Sequence, residues 1–277
     1  MKKNILKFSA AILAASAMLT ACSSGGDYSG YSSAYNKVTA NGGMEAEFEL
    51  TLKMDGQTTK SNGNFKLDTS SGKNILLYAM EVDGNQIMQF SDGEYIYTDV
   101  DGHKTKYALN SKPSGGGDSQ EGGHKDGSGT FDTGAFLSEF SSFLEAGKIK
   151  ELGLLSPIEK NAVTNITLAD NVYTLTFSES LVKSYLNILI ANESNSASGE
   201  TLQISELKDL TYKATVSGDI ITGVRYTGVL AVHVPGSLMA DGNDADYSMD
   251  MDINITFVNP GSAVTVELPS TDGFQAV

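Results

Sequence analysis

The chain of 277 residues is poor in cysteine, tryptophan and positive charge. Cys22 is the single cysteine, so no disulfide can form within the chain and an ordinary packed core must stabilise it. Tryptophan is absent, which disfavours a carbohydrate-binding module that stacks sugars on indole rings. Lys and Arg total 19 against 34 Asp and Glu, for a net charge of −15. This balance argues against nucleic acid as a partner, because such binding depends on basic residues that neutralise phosphates.

The sequence also lacks a recognisable catalytic or metal-binding constellation. Ser-x-x-Lys occurs three times without the Lys-Thr-Gly or Ser-Asp-Asn that accompany it in penicillin-recognising enzymes, and Gly-x-Ser-x-Gly is absent. His103, His124 and His233 are scattered and do not form a zinc motif. The acidic loop 241–246 lacks the third ligand and the final Glu of an EF-hand, so we interpret it as a solvated loop. We therefore expect a protein that is not an enzyme and that has no metal and no cofactor.

The first 22 residues match a bacterial lipoprotein signal. Three lysines precede an apolar stretch at 10–19, and Leu-Thr-Ala-Cys at 19–22 has the order of a lipobox. The apolar stretch is shorter than the roughly 20 residues that a membrane-spanning helix needs. The alternative is a secretory signal with a chance cysteine. We predict removal of residues 1–21 and lipidation of Cys22 by a diacylglycerol, whose two chains would be enough for stable anchoring.

Composition and spacing divide the rest of the chain. Residues 22–33 are mostly Ser, Gly and Tyr and predict a flexible tether. Residues 34–277 predict one domain, interrupted at 110–130 by a loop rich in Gly and Ser. Apolar residues at helical spacing predict helices at 136–147 and 179–191, and two short helices are predicted near 34–40 and 148–155.

The clearest pattern is the alternation of apolar and polar residues over 44–54, which is typical of a strand with one buried face. Similar segments, many joined by Asp-Gly turns, predict further strands. The predicted strands are 44–54, 57–68, 74–82, 86–90, 95–99, 104–109, 163–168, 172–177, 210–216, 220–234, 247–258 and a final edge at 264–268. We predict an α+β fold, in which a strongly curved antiparallel sheet of about ten strands forms a half-open β-barrel covered by a few helices.

Methionines and aromatic residues are frequent on these strands. They are interpreted either as ordinary core or as the lining of a hydrophobic binding site, because flexible thioethers adapt to irregular apolar ligands. The candidate ligand-binding residues are Phe48, Leu50, Met54, Met80, Met88, Phe90, Tyr95, Tyr97, Phe136, Phe140, Met249, Met251 and Phe257.

The order of these elements, the segment FSDGEYIYTDVDGHKTKYAL at 90–109 and the closing VTVELP resemble the Lol-type lipoprotein-carrier superfamily, in particular lipid-anchored relatives in Gram-positive bacteria. The resemblance implies an incomplete β-barrel closed by helices over an apolar cavity for acyl chains, and it implies no catalytic residue. The Gly-rich insertion departs from that pattern. The chain also departs from it in its basic residues. Its single arginine, Arg225, does not correspond to the basic residues with which some carriers hold the lid closed.

Two functions remain open at this point. The first is a non-enzymatic lipoprotein that is anchored to the extracytoplasmic side of the cell membrane, of Gram-positive type, and binds a lipid, glycolipid or other hydrophobic molecule. The second is a structural or accessory envelope lipoprotein that has a packed core and binds a protein partner.

Overall fold

A computed structural model describes residues 27–54, 56–70, 75–82, 84–108, 158, 160, 163–180, 182–183, 187, 203–236 and 243–276. These residues are mostly β-structure. The helix α1 spans Tyr28–Asn36, and the described residues 179, 180, 182, 183 and 187, within the helix predicted at 179–191, are also helical. The strands are β1 (Gly43–Met54), β2 (Gln57–Asp68), β3 (Ile75–Val82), β4 (Asn85–Ser91), β5 (Tyr95–Val100), β6 (His103–Ala108), β7 (Val163–Ala169), β8 (Val172–Phe177), β9 (Gln203–Ser217), β10 (Ile220–Val234), β11 (Ala245–Phe257) and β12 (Gln275–Ala276).

All twelve strands belong to one sheet, in the order β12-β6-β5-β4-β3-β2-β1-β11-β10-β9-β8-β7. Neighbours are antiparallel except β12, which joins β6 in parallel. The predicted α+β half-open barrel of about ten strands under several helices is therefore wrong: the sheet is open, with β12 and β7 at its edges. Alternation within a strand shows that one face is buried, but closure depends on whether the two edge strands pair, and the pattern carries no information about that.

Most strand positions agree with the sequence analysis. β1 to β8, β10 and β11 lie within one or two residues of their predicted bounds. β9 is longer than predicted, because register shifts against β10 break its alternation and place the buried residues Ile204, Leu207 and Leu210 three apart. The predicted edge at 264–268 is wrong, since the last strand is β12. The predicted helices at 136–147 and 148–155 and the loop at 110–130 lie outside the described residues.

The helix α1 begins earlier than predicted. The carboxylate of Asp27 accepts a hydrogen bond from the backbone N–H of Gly30 at 2.9 Å, which is an N-cap interaction. The helix therefore starts within 22–33, the segment that the sequence analysis assigned to a tether. Tyr28, Tyr31 and Tyr35 recur at helical spacing, and the last two are buried. This apolar stripe explains why the segment packs on the sheet.

The two faces of the sheet differ in burial. We call the buried one the inner face. One continuous row across its centre, from β2 to β7, contains Ser61, Leu50, Ile253, Tyr226, Tyr212, Leu175 and Ile166, and every one of these residues is less than 5% exposed. Most of the buried side chains of the sheet form one cluster with residues of α1.

The opposite, outer face carries the charges. Lys66 and Glu45 are cross-strand neighbours whose side chains lie 2.8 Å apart. Arg225 donates two hydrogen bonds to the carboxylate of Asp252, at 2.9 and 2.6 Å. Such exposed ion pairs contribute little stability, but a charged face discourages association between sheets.

Residues 259–274 cover part of the outer face. The backbone N–H of Gly261 donates to the carbonyl of Val38 at 3.0 Å. A Cβ on Gly43 would lie 2.8 Å from the side chain of Val264, so the absence of a side chain on Gly43 permits this close approach. Phe274 then packs on β4 and β5 before the chain adds β12 to the edge.

Candidate functional site

The inner face is the candidate site because its described strands carry no charged side chains there. In the strands that the structure describes, none of the residues whose register places them on this face is Asp, Glu, Lys or Arg. Asp209, in the bulge of β9, is exposed. A large uncharged surface can bind apolar groups by dispersion and by removal of apolar area from water, and it offers no ionic contact to a ligand.

Six of the predicted ligand-binding residues lie together on the inner face and are buried. They are Phe48, Leu50, Met80, Met249, Met251 and Phe257. Met54 is half-buried and packs against the same cluster. Whether they bind a ligand stays a prediction, since the burial of these residues equally describes a core.

A cross-strand glycine shapes the centre of this group. Phe48 lies directly opposite Gly63, and the ring of Phe48 stacks on Tyr78 with centroids 5.6 Å apart and an interplanar angle of 6°. A Cβ on Gly63 would lie 2.5 Å from the Phe48 ring and 2.2 Å from the carbonyl oxygen of Ala79. Gly63 is therefore required for the Phe48 ring to lie flat across β2.

Methionines concentrate where β1 ends and β11 begins. Met54 and Met249 are cross-strand partners, and Met251 pairs with Leu52 on one side and Gly228 on the other. Unbranched thioethers next to a glycine form a deformable part of the surface.

Four other predicted residues are not brought to this face. Met88, Phe90, Tyr95 and Tyr97 lie on the outer face, as the cross-strand pairs of β4 and β5 show. Phe90 and Tyr97 stack with centroids 4.7 Å apart, and Phe274 meets both rings edge-on. The C-terminal segment, rather than the inner face, explains the burial of Phe90 and Tyr97. Phe136, Phe140 and Cys22 lie outside the described residues.

The sequence analysis missed an aromatic cluster between α1 and the far half of the inner face. Tyr31 of α1 contacts the rings of Tyr173 and Tyr212 at centroid distances of 5.8 and 5.9 Å, and Tyr212 contacts Tyr226 at 4.7 Å. The tyrosine spacing in 28–35 was the available signal, but the Ser and Gly residues between those tyrosines led to the tether interpretation.

Hydrogen bonds satisfy part of this cluster. The hydroxyl of Tyr31 donates to that of Tyr212 at 3.1 Å and accepts from the backbone N–H of Ile158 at 3.1 Å. The hydroxyl of Tyr28 donates to the carbonyl of Ile158 at 2.6 Å. Burial raises the pKa of Tyr31, Tyr212 and Tyr226 well above the usual value for tyrosine. These hydroxyls therefore stay protonated at physiological pH.

A polar row interrupts the apolar surface at the other end. Gln89, Thr98 and Thr105 are cross-strand neighbours on β4, β5 and β6 of the inner face. The amide nitrogen of Gln89 donates to the hydroxyl of Thr98 at 3.0 Å. The Oε1 of Gln89 and the Oγ1 of Thr105 are buried and have no hydrogen-bond partner in the part of the chain that the structure describes. A signal was present in the sequence, because polar residues stand at inward positions of β4 and β5.

The described residues contain no group of three or more His, Cys, Asp or Glu that could hold a metal ion. Nor do they contain a helix that is long and apolar enough to cross a membrane.

Comparison with known proteins adds little to this geometry. No family model and no curated protein matches the chain. Among solved structures, the chain is similar to the crystal structure of a DUF1329 family protein from Desulfovibrio piger, with 10% sequence identity over 83% of this chain and 90% of that chain. The TM-score is 0.27. A likeness at this level carries no argument about fold or function.

Proposed function

We propose that this protein is a lipid-anchored, non-enzymatic lipoprotein of the cell envelope that binds a hydrophobic ligand on the inner face of its sheet. The observation that supports the binding function most is the uncharged inner face, whose methionine-rich part contains Met54, Met249 and Met251. Burial of ligand methylene groups against such a surface contributes about 0.8 kcal/mol each. A ligand would bind there through dispersion and apolar burial, without ion pairs.

Anchoring is the second part of the proposal, and it rests on the lipobox at 19–22 and on the resemblance to lipid-anchored relatives of the Lol-type carriers. A tethered protein that holds a ligand at the membrane fits this arrangement better than a shuttle, which must leave the membrane. Metabolic labelling with a fatty acid tests it: the wild type should incorporate label and the Cys22→Ala variant should not. Label in the variant would refute lipidation at Cys22.

Native mass spectrometry of the purified full-length protein, combined with solvent extraction, tests ligand binding. We expect a co-purifying lipid of defined mass that is released on denaturation. Met251→Asp should abolish lipid retention, because the free energy needed to bury a carboxylate on the inner face exceeds the favourable free energy of binding an acyl chain there. Ser248→Asp on the exposed outer face of β11 is the matched control and should retain the lipid. Met251→Leu, which keeps apolar volume, covers the case in which the aspartate variant does not fold.

A second candidate function is supported by the completeness of burial. Ile253, Tyr212 and Leu175 expose essentially no surface, which is typical of a packed core. Under this alternative the protein is an accessory envelope lipoprotein that binds a protein partner. A ligand-free mass that stays unchanged after incubation with envelope lipids would favour it, and would refute the first candidate.

A further inference from the structure

The polar row on β4, β5 and β6 is unusual in its surroundings. Gln89 and Thr98 are each 1% exposed, and the other buried polar side chains of this face in the described strands are the smaller Ser61 and Ser91. Buried polar side chains are costly unless their hydrogen bonds are made, so each exception calls for an explanation. We propose that Gln89, Thr98 and Thr105 form a subsite for uncharged hydrogen-bonding groups, hydroxyls or carboxamides, in the headgroup of an amphipathic lipid. This inference rests on the proposed function of hydrophobic-ligand binding.

The three side chains are close enough to act together. Each is the direct cross-strand partner of the next, and neighbouring strands of a sheet lie about 4.8 Å apart. The hydrogen bond from the Gln89 amide to Thr98 orients the amide along this row. Gln89 and Thr105 lie on either side of Thr98, two strands and therefore about 9.6 Å apart. A headgroup with two neutral hydrogen-bonding groups, such as a glycerol, can contact both.

The polar atoms that lack a hydrogen-bond partner define the chemistry of the ligand. Oε1 of Gln89 and Oγ1 of Thr105 have no partner among the residues that the structure describes. If the Gln89 amide is rotated by half a turn, Thr98 donates to its oxygen and the NH2 group faces the row instead. In both orientations a hydroxyl or carboxamide can pair with the Gln89 amide, and a second such group can pair with Oγ1 of Thr105, because these groups both donate and accept.

The lack of charged side chains at the inner-face positions of these strands excludes the common ionised headgroups. The inner-face positions of β2 to β6 carry no Lys or Arg to pair with a carboxylate or phosphate, and no Asp or Glu to pair with an amine. His103, on β6, is exposed. Burying an unpaired charge beside Gln89 would be far more costly than burying a neutral group.

The apolar part of the ligand has an adjoining surface. The next row of the inner face contains Ile87 and Met80, and it continues through Gly63 to Phe48. Ile87, Met80 and Phe48 are buried and apolar. A single acyl chain would lie along this row toward the methionine-rich part of the sheet.

Binding of three probes to the purified full-length protein in a mild nonionic detergent tests the subsite. The probes are monooleoylglycerol, which has a neutral head, oleate, which has an anionic head, and octadecene, which has no polar head. We expect monooleoylglycerol to bind about tenfold more tightly than the other two, the ratio that 1.4 kcal/mol produces. Gln89→Leu should remove this preference while octadecene binding is maintained. The matched control is Gln86→Leu, on the same strand but exposed on the outer face, and it should keep the preference.

The outcomes distinguish a failure of the subsite from a failure of the proposed function. If none of the probes binds the wild type, the proposed function fails and the subsite fails with it. If all three bind with equal affinity, if oleate is preferred, or if Gln89→Leu keeps the preference for monooleoylglycerol, the subsite is refuted and hydrophobic-ligand binding stands. If Gln89→Leu does not fold, Thr105→Val decides in its place, since it removes the Oγ1 and keeps the shape of the side chain.

Discussion

Phe274 offers a direct test of how the outer face is organised. Its ring is 9% exposed and meets Phe90 and Tyr97 edge-on, at centroid distances of 5.5 and 5.3 Å. The Lys104 ammonium lies 5.3 Å from the same ring. Phe274→Ala would remove all of these contacts while leaving the inner face untouched.

The expected loss of stability follows from the packing. Truncation of a buried Phe to Ala costs about 3–5 kcal/mol in protein cores, and each edge-to-face pair contributes about 0.5–1.5 kcal/mol beyond the buried area. Phe274 belongs to the smaller outer-face cluster rather than to the main core, and its ring remains 9% exposed. We therefore expect the free energy of unfolding to fall by about 3 kcal/mol, at the lower end of the range for cores.

Equilibrium urea unfolding, followed by far-ultraviolet circular dichroism, measures this loss. Phe274→Leu keeps an apolar side chain and should cost less than about 1.5 kcal/mol, and Gln275→Ala, at an exposed position, should change stability by about 0.5 kcal/mol or less. A loss below about 1 kcal/mol for Phe274→Ala would refute the assignment of Phe274 to the outer-face cluster. In that case Phe90 and Tyr97 would again become candidates for ligand binding.

Three further variants test other parts of the structure. Asp27→Ala removes the N-cap of α1 and should lower the free energy of unfolding by about 1 kcal/mol; an unchanged urea midpoint would contradict the cap. Gly63→Ala should lower the free energy of unfolding by about 1–3 kcal/mol, because the new methyl group overlaps the Phe48 ring; wild-type stability would contradict the close approach. Arg225→Ala should alter the pH dependence of urea unfolding, since a hydrogen bond from Arg225 lowers the pKa of Asp252. The stability from this pair is present above the unfolded-state pKa of about 3.9 and is lost as the pH falls through the lower folded-state value, so the wild type should lose more stability than the variant in that window. Identical acid profiles would contradict it.

The strands were the most predictable part of the fold. Alternation over 44–54 placed β1 correctly, and the turn at 170–171 was found from Asp-Asn between the strand patterns at 163–168 and 172–177. Both of these turn residues have positive φ, 50° and 61°, as a tight hairpin turn requires. Local signals suffice here, because a strand with one buried face and a two-residue turn leave short-range patterns. The bulged strand β9 was misjudged in length, because extra residues in a bulge destroy the period on which the prediction depends.

The candidate site was only partly predictable. Phe48 and Met251 were identified and do share a face, because they occupy inward positions of well-patterned strands. Phe90 and Tyr97 lie on the outer face but were assigned to the same site. Residues buried on either face of a sheet are apolar, so the sequence does not show which face a buried residue occupies. Gln89 was overlooked because one polar residue within a strand looks like an ordinary solvent-facing position.

The sequence by itself determined which segments are strands, where most of them turn, and that the protein has an acidic surface and a single cysteine. It did so because these properties depend on residues close together along the chain. Only the tertiary structure decided that the sheet stays open, that Phe274 returns to cover Phe90, and that Gln89, Thr98 and Thr105 meet in one row. These features depend on the pairing of distant segments, and the free energy of that pairing is set by the whole sheet rather than by any local pattern.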